Sequence, residues 1–384
     1  EGKAFISANT HASVTGKIQK IEEVLDSSGY KRTAVIIKKV EPDQWADNID
    51  TSEDLNKEIP DSAEEIIEKI KAAGVVGLGG ATFPTHIKLS PPKGMKADVV
   101  IINGVECEPY LTIDNRGMIE KGHELMIGTK ILMKALGVSK AIIGIENNKS
   151  EAIHYLTELC QSYSGITIQP LQVKYPQGGE KQLIKALINR EVPSGALPIA
   201  VGAVVQNVGT TIAVYYAVQK NMPLIERAVT VTGKHVKDPK NLIVRIGTSF
   251  NELIENVGGI PENTGKIITG GPMTGKALLS TDIPVIKSTS GIIFFDDSEA
   301  HRKTYRDCIR CAKCVSVCPQ GLEPFLLMNL VDRKNYERTE KEKVLDCIEC
   351  GSCSYICPAY RPLLDFIRLG KTTVNKIIRE RKQK

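Results

Sequence analysis

The sequence has little net charge, few aromatic side chains and no long apolar run. Its 384 residues carry a formal net charge of +5, 5% of them are aromatic, and one is tryptophan. So small a charge gives no reason to expect nucleic acid as a partner. Most of the basic excess lies in residues 368–384, which we interpret as a solvated helix, with an acidic partner or a membrane surface as alternatives.

No segment predicts a membrane-spanning helix. Residues 192–219 contain no Asp, Glu, Lys or Arg, but they include Pro193, Pro198 and three glycines. This composition favours a buried loop, strand and helix of a large core. The length fits two to four domains. Because the chain opens on Glu1 within a β-rich pattern, we expect it to be part of a longer protein.

Cysteine is nearly absent outside one region, since eight of the ten cysteines lie within residues 308–357. They form two copies of the pattern C-x2-C-x2-C-x3-C-P. In this pattern three thiolates converge from one loop and the fourth points to a neighbouring cluster, so it predicts two [4Fe-4S] clusters with crossed ligands. The predicted sets are Cys308, Cys311, Cys314 and Cys357 for the first cluster, and Cys347, Cys350, Cys353 and Cys318 for the second.

Structural zinc and disulfides are the alternatives to iron-sulfur clusters. Zinc sites need only two C-x2-C pairs, and neither a third cysteine at the same step nor a proline after the fourth. Disulfides are disfavoured because the chain carries no secretory signature. The other two cysteines, Cys107 and Cys160, lack partners at ligand spacing, and we expect both to be buried thiols. Adjacent clusters carry single electrons, so the protein should contain, or dock against, an electron donor and an acceptor.

Changes in composition and in the predicted secondary-structure pattern along the chain predict five successive parts. They are a partial β-rich module at 1–40, a linker at 41–61, an α/β domain at 62–222, a small β-plus-helix module at 223–296, and a cysteine domain at 297–384 with a terminal helix at 363–378.

A glycine-rich loop follows the first predicted helix of the α/β domain. The capping box of Ser62 and Glu65 indicates where that helix begins, and Gly74 ends it. The loop that follows reads GVVGLGGATFPTHIKLS, and its close-set glycines leave backbone bare for a flat ring or a phosphate. Taken alone the loop is a weak signal, since a tight turn without a ligand explains it as well.

Acidic and glycine turns are predicted at strand ends. A strand at 97–102 runs into NGVECEPYLTIDNR, which places Asn103, Glu106 and Glu108 at its carboxyl end, where open α/β sheets bind ligands. The stretch YPQGGEKQL places Glu180 at a later strand-to-helix junction, whose amides can face an anion. We expect these turns and the glycine loop to lie at strand ends sharing one edge of the sheet, and to form a pocket there.

The order of these motifs resembles the RnfC family, whose members belong to the Rnf complex, a membrane-bound, ion-translocating ferredoxin:NAD oxidoreductase. The resemblance extends over essentially the whole chain, through GLGGATFPTHIKL, NGVECEPYLTIDNR, YPQGGEKQL, VPSGALPIAVGAVVQNVGTT and the two ferredoxin motifs. It implies an α/β multidomain fold with a complex I flavoprotein-like α/β domain, a β-grasp (SLBB-like) module and a C-terminal α-helical dicluster ferredoxin-type domain.

The α/β domain is also similar to the flavin-binding subunit of respiratory complex I, and this likeness implies a pocket for flavin mononucleotide (FMN). The implied pocket residues are Gly77, Gly79, Gly80, Ala81 and Lys88 around the flavin, Asn103 and Glu106 on its other side, Glu108 and Glu180 near the flavin or the nicotinamide nucleotide, and Asn207 near the flavin phosphate or ribityl chain. Lys181 stands where the relative has a second glutamate, so this chain lacks the carboxylate expected to contact the nucleotide there. No side chain is predicted to act as a catalytic acid, base or nucleophile.

The implied function is that of one subunit of an NADH:acceptor oxidoreductase, which exchanges hydride between NADH and FMN and relays single electrons through the clusters. The implied partners are the iron-sulfur protein RnfB and the membrane-embedded subunits, which would hold the chain peripherally at the cytoplasmic face of the membrane. One alternative is an iron-sulfur adaptor of a soluble amino-acid reductase system without an active nucleotide pocket. Another is a ligand- or polysaccharide-binding role for the β-grasp module.

Overall fold

The computed structural model describes residues 6–383. They form two compact units, of which the first runs to Val192 and continues over Pro198–Asp297, and the second contains Pro193–Leu197 and the chain from Ser298 onward. The strands are β1 (Gly16–Leu25), β2 (Lys31–Lys39), β3 (Val99–Gly104), β4 (Ala141–Glu146), β5 (Ile166–Leu171), β6 (Ala203–Asn207), β7 (Glu226–Gly233), β8 (Lys240–Arg245), β9 (Thr264–Thr269), β10 (Lys276–Ala277) and β11 (Gly291–Asp296). The helices are α1 (Ala63–Ala72), α2 (Thr85–Lys88), α3 (Ile113–Glu120), α4 (Gly122–Leu136), α5 (Ser150–Cys160), α6 (Glu180–Ile188), α7 (Val208–Gln219), α8 (Phe250–Asn256), α9 (Asp297–Ala300), α10 (Lys313–Ser316), α11 (Pro324–Asp332), α12 (Tyr336–Lys341), α13 (Ser352–Ile356) and α14 (Leu363–Gln383).

A four-stranded parallel sheet forms the centre of the α/β domain. Its strand order is β5-β4-β3-β6, and β3 and β4 are almost entirely buried, as a sheet covered on both faces requires. Helices α1, α4, α5 and α7 cover one face, where Ile66, Leu125 and Val214 are fully buried. Helix α6 packs on the other face through Leu183 and Ile184.

The strand order brings two asparagines side by side. The chain runs from β3 outward to β4 and β5, and then returns to place β6 on the opposite side of β3. Asn103 near the end of β3 is paired in register with Asn207 at the end of β6. Open parallel sheets bind ligands beyond the carboxyl ends of strands where the chain direction switches in this way. The sheet topology therefore fixes where the candidate site lies.

Two segments whose structure was predicted from the sequence can be compared with the fold. The sequence pattern predicts one helix over about 117–136, but α3 ends at Glu120 because Lys121 leaves helical geometry with φ −127° and ψ 37°, and α4 begins at Gly122. The charge-free segment 192–219 forms a loop, a short 3-10 helix, β6 and α7; the predicted strand and helix are mostly buried, but the loop expected to be buried is largely exposed, with Leu197 at 64%. Across residues 6–383 no helix has the length and apolar content that crossing a bilayer would need.

A second sheet follows the α/β domain. Its order is β10-β9-β11-β7-β8, in which β7 and β11 are parallel and the other pairs antiparallel. Helix α8 packs Phe250, Leu253 and Ile254 into the core of this module. Strands β1 and β2 form a separate antiparallel hairpin, and residues 41–61 contain no helix or strand.

The second unit is helical. Helix α14 packs closely against α11, since a Cβ atom at Gly370 would lie 2.6 Å from Cγ2 of Val331. Glycine at this position therefore permits the approach of the two helices. The terminal helix is longer than the predicted 363–378, because α14 extends to Gln383.

Candidate functional site

The glycine loop reaches the carboxyl edge of the sheet without following a strand of it. The prediction that it lies at a strand end is wrong, since the loop follows α1 and a single isolated β-bridge. It is held at the edge because the amide of Leu78 donates a hydrogen bond to Oγ1 of Thr210, at 2.8 Å. A Cβ atom at Gly79 would lie 3.1 Å from Cβ of Asn207, so glycine allows the loop to lie directly against that side chain.

The tip of this loop presents bare backbone. Gly80 has a φ of +144°, and no atom lies within 4 Å of a Cβ atom built on it. Ala81 beside it is exposed. Gly77 lies deeper, where its amide donates to the carbonyl of Phe83 at 2.9 Å. The free space in front of Gly80 is the kind of surface against which a planar ring or a phosphate can lie.

Lys88 and Glu180 form an ion pair at the same edge. The Nζ atom of Lys88 donates to Oε1 of Glu180 at 2.7 Å and to the carbonyl oxygen of Val205, in β6, at 3.0 Å. The two side chains are 30% and 37% exposed, so a ligand can reach both charges. The structure thus brings together two predicted site residues that are 92 positions apart in the sequence.

Asn103 and Glu106 support the loops that follow β3. Nδ2 of Asn103 donates to the carbonyl of Gly178 at 2.8 Å, which ties β3 to the second glycine turn. The carboxylate of Glu106 accepts hydrogen bonds from the amides of Asp114 and Asn115, at 3.0 and 3.2 Å, in the first turn of α3. Burial raises the pKa of Glu106.

Asp114 is a residue of this site that sequence reasoning missed. Its Oδ2 atom accepts a hydrogen bond from Nδ2 of Asn207 at 2.7 Å. Burial first, and then the neighbouring carboxylate of Glu106, raise the pKa of Asp114 to about 7. An acid in the first turn of a helix is usually explained by the helix dipole alone. The one available signal was its place within the stretch NGVECEPYLTIDNR.

Two buried polar atoms near the carboxyl ends of β4 and β6 lack partners within the described chain. Glu146 and Gln206 are each 2% exposed. Oε1 of Glu146 and Nε2 of Gln206 form no hydrogen bond. Since leaving a buried polar group unsatisfied costs about 1–3 kcal/mol, these atoms fit a site that a polar ligand or water completes.

Glu108 faces the neighbouring module. Its Oε2 atom accepts from the amide of Met273 at 3.0 Å, and Oε1 accepts from the amide of Thr274 at 2.9 Å and from the hydroxyl of Thr274. Both oxygens are therefore occupied by the loop between β9 and β10. A role for Glu108 beside the flavin or the nucleotide stays a prediction, whereas its contact with this loop is direct.

The two cysteine loops share one backbone pattern. In the first, Arg310 and Ala312 on either side of Cys311 have φ values of 55° and 57°. In the second, the equivalent residues Glu349 and Gly351 have φ values of 58° and 78°. Left-handed residues on both sides of the middle cysteine turn the chain sharply twice, which suits a loop whose thiols must converge.

The cysteines of the second predicted set lie together. Cys318, which comes from the first motif, lines one cavity with Cys347, Cys350 and Cys353 of the second. Burial first, and then Cys347, Cys350 and Cys318, raise the pKa of Cys353 to about 12. Thiolates bind iron in the deprotonated form, so cluster binding would offset the cost of ionising this crowded group.

The first predicted set shows the same crossing. Burial raises the pKa of Cys314, and the next contributions from other side chains come from Cys357 of the second motif and from Cys308. Cys311 completes the set and is exposed. Among residues 6–383 no three His, Cys, Asp or Glu side chains converge tightly enough for a single metal ion, and a [4Fe-4S] cluster spreads its ligands more widely than one ion does. The ligand assignment stays a prediction that this geometry supports.

Three protein families match successive parts of the chain. Residues 70–216 match the Nuo51 FMN-binding domain, residues 228–277 the SLBB domain, and residues 300–358 the 4Fe-4S dicluster domain. These matches agree with the expected fold class, in which a complex I flavoprotein-like domain, a β-grasp module and a dicluster domain follow one another.

Curated relatives match nearly the whole chain, and all three described here are the C-subunits of their complexes. The relative from the proton-translocating ferredoxin:NAD(+) oxidoreductase complex of Clostridium ljungdahlii is 46% identical over 96% of this chain and 80% of its own length. The relative from the Na(+)-translocating ferredoxin:NAD(+) oxidoreductase complex of Acetobacterium woodii is 43% identical over 97% of this chain and 84% of its own length. The relative from the ion-translocating oxidoreductase complex of Rhodobacter capsulatus is 39% identical over 95% of this chain and 70% of its own length.

Solved structures agree on the fold. A chain of the NAD+-reducing [NiFe]-hydrogenase in the H2-reduced state has a TM-score of 0.56 and 18% identity, and the match covers 82% of this chain and 62% of that one. A chain of such an enzyme in the air-oxidised state has a TM-score of 0.55 and 19% identity, and the match covers 83% of this chain and 55% of that one. At this identity the likeness concerns the fold alone.

Proposed function

Because the chain belongs to the RnfC family of ion-translocating ferredoxin:NAD(+) oxidoreductase complexes, we propose that it exchanges electrons between NADH and partner subunits through FMN and two [4Fe-4S] clusters. The observation that carries the proposal is the register pairing of Asn103 with Asn207 at the switch point of the sheet, directly beside the bare glycine loop. When bound there, flavin accepts two electrons as a hydride and releases them singly.

The pocket residues fit an FMN molecule by the chemistry that each offers. The backbone at Gly79 and Gly80 offers a surface without side chains. Asn207 caps α7 by accepting at Oδ1 from the amide of Thr210, and its place beside the flavin phosphate or ribityl chain is part of the proposal. The unsatisfied polar atoms of Glu146 and Gln206 provide further hydrogen-bonding capacity near the same strand ends.

The charged pair at the edge suits a ligand that gains negative charge. The ammonium group of Lys88 would stabilise an anionic reduced ring, while Glu180 holds that ammonium group in place. Glu180 begins α6 and is one of the two acids expected near the flavin or the nicotinamide nucleotide. In this proposal the chain positions its ligands and tunes their charge, and no side chain supplies acid, base or nucleophile.

The thiolates of the cysteine domain would hold the two clusters in the crossed sets predicted from the spacing. This assignment is supported by the cavity that Cys318 shares with Cys347, Cys350 and Cys353. Crossing places a ligand of each motif on the other cluster, so the two clusters are neighbours and single electrons can pass between them.

As a member of this family the chain is one subunit of a larger complex. The more specific proposals are that its partners include the iron-sulfur protein RnfB and the membrane-embedded subunits, and that it lies peripherally at the cytoplasmic face of the membrane. The five-part division predicted from the sequence is also kept as a proposal. It is supported by the three family matches, each of which falls inside one predicted part.

The proposal is tested by anaerobic titration. The protein is purified, its iron and sulfide are reconstituted, FMN is added, and the visible spectrum is followed as NADH is titrated in. We expect stoichiometric FMN retention and bleaching of the bound flavin, followed by loss of the cluster absorbance. Stable clusters without retained flavin, and without any response to NADH, would instead support an adaptor that receives its electrons from another protein.

A further inference from the structure

The two copies of the cysteine motif carry different charges at equivalent positions. Before the second cysteine the first copy has Arg310 and the second copy has Glu349. Before the third cysteine the first copy has Lys313 and the second has Ser352. Loops with the same backbone pattern therefore give two clusters different electrostatic surroundings.

The charge in the second copy is covered and neutralised. Glu349 is half-buried and accepts from Nε of Arg368 at 3.0 Å and from Nζ of Lys371 at 2.7 Å, both on α14. Lys371 also donates to the carbonyl of Cys347 at 2.7 Å. The terminal helix thus closes over this loop, and its charges are used within the protein.

The first copy is open to solvent. Ile309 is 68% exposed, and Arg310, Cys311 and Lys313 are exposed as well. Within residues 6–383 no carboxylate pairs with the side chain of Arg310 or Lys313. An unpaired cation loses no internal partner when another molecule binds it, so this surface is free to receive one.

The segment before the first copy shows which cations are free. Arg302 pairs with Asp365 of α14, and Nζ of Lys303 lies 4.8 Å from the ring centre of Tyr360. Arg306 is exposed and, within the described chain, has no side-chain partner. The exposed cations and the apolar side chain within residues 306–313, namely Arg306, Ile309, Arg310 and Lys313, are what we call the cationic face. Asp307 is the one acid within this segment.

We infer that the cationic face is the docking surface for an acidic electron-carrier protein, which exchanges electrons with the first cluster rather than the second. The inference rests on the proposed function, since it needs the cluster that Cys311 would help to hold. Opposite charges steer two proteins together, and apolar Ile309 among the cations gives the contact a desolvated centre. An anionic membrane could attract the same charges, but it would make no use of a cluster ligand that is itself exposed.

The test is a double charge reversal, Arg310→Glu with Lys313→Glu, in the full protein with its flavin and both clusters. The matched control is Arg379→Glu with Lys382→Glu, which changes the net charge equally on an exposed turn of α14. The probe is a small acidic [4Fe-4S] ferredoxin, and its affinity is measured by calorimetry with both proteins oxidised. We expect the dissociation constant to rise on the order of tenfold for the variant at Arg310 and Lys313 (the loop variant), and less than about threefold for the control.

Electron transfer gives a second readout. The dithionite-reduced protein is mixed with the oxidised ferredoxin in a stopped-flow instrument, and the loop variant should lose its salt-dependent fast association. Both cluster EPR signals confirm that the variant is intact. If charge reversal prevents cluster assembly, the neutral pair Arg310→Gln with Lys313→Gln should show a smaller loss in the same direction.

Three results would overturn the inference. The first is unchanged ferredoxin affinity in the variants at Arg310 and Lys313. The second is an equal loss of affinity in the control at Arg379 and Lys382, because net charge alone would then explain the effect. Loss of binding to phosphatidylserine vesicles with ferredoxin affinity intact would assign the face to a membrane. Because binding is measured without NADH, a failure of the proposed flavin reaction would be seen separately, in the NADH titration of the unmodified protein.

Discussion

The flavin pocket and the cluster domain would hold their ligands by opposite means. The pocket offers bare backbone and asparagine side chains from separate segments, and the α/β domain around it has its own core, with residues such as Ile66 and Leu125 fully buried. In the cluster domain the proposed ligands are part of the core, where Cys353 is buried together with Leu327 and Leu363. The α/β domain should therefore keep its fold without a ligand, whereas the cluster domain should need its iron.

Iron removal should give the largest difference between the two regions. Because metal binding and folding are coupled where ligands form the core, chelation under mild oxidation should unfold the second unit and leave the α/β sheet folded. Hydrogen exchange measures this directly, as lost protection in α11 and α14 with retained protection in β3 and β4. Removal of FMN serves as the control and should leave both regions protected. Retained protection of α14 after complete iron loss would contradict the comparison.

Loss of single ligands should affect one cluster at a time. Cys308→Ala and Cys357→Ala are 49 positions apart but should abolish the same cluster EPR signal, while Cys347→Ala should affect the other. The measurement is EPR of dithionite-reduced protein, with iron content as the control for occupancy. Different signals lost in the first two variants would refute the crossed assignment.

A branched side chain in the glycine loop should remove flavin without harming the clusters. Gly79→Val would place its Cβ atom 3.1 Å from Cβ of Asn207, so the branched side chain would push the glycine loop away from that asparagine and distort the pocket. We expect FMN affinity to fall by roughly 100-fold or more, which corresponds to about 2.7 kcal/mol. The control is Gly117→Ala on α3, whose new Cβ atom would meet Ile212 at an ordinary distance of 3.4 Å. Fluorescence titration of FMN distinguishes the two variants, and stoichiometric flavin in Gly79→Val would refute this pocket.

Substitution of Asp114 should have the smallest effect, which is a change in how protein stability depends on pH. Its pKa is raised from 3.8 to about 7 in the folded protein, so the folded state keeps a proton that the unfolded state has lost. Stability contributed by this group is therefore present at low pH and declines as pH rises from about 4 to about 7. Relative to the unmodified protein, Asp114→Asn should gain unfolding free energy as pH rises across that range, because asparagine has no proton to lose. Denaturant titrations at pH 4.5 and pH 8 measure this, and a constant difference between the proteins would contradict it.

The two regions also differ in how far the sequence reveals them. All eight cysteines proposed to bind the clusters could be named from the sequence, because the spacing of thiolates within one loop already predicts cluster binding. The pocket could be located because Asn103 follows a buried β-branched strand, and its partner Asn207 could be named only through the family resemblance. Which strands are neighbours depends on topology, and so the register pairing of the two asparagines becomes visible only in the fold.

The individual errors have physical causes. The glycine loop reaches the sheet edge through a hydrogen bond to Thr210, a contact over 132 positions that no local pattern predicts. Asp114 was missed because its burial arises from tertiary packing, and the contact of Glu108 with the β9–β10 loop is likewise set by tertiary packing. Local chemistry is readable from sequence, but the partners of a polar side chain are set by the packing of distant segments.

The most direct measurement is rapid-freeze EPR after mixing with NADH, on the unmodified protein and on Gly79→Val, both with assembled clusters. We expect NADH to reduce the clusters of the unmodified protein within its flavin turnover time. In Gly79→Val the clusters should accept electrons from dithionite but not from NADH. Equal reduction of the clusters by NADH in both proteins would contradict the account, since electrons would then reach the clusters without the pocket at the sheet edge.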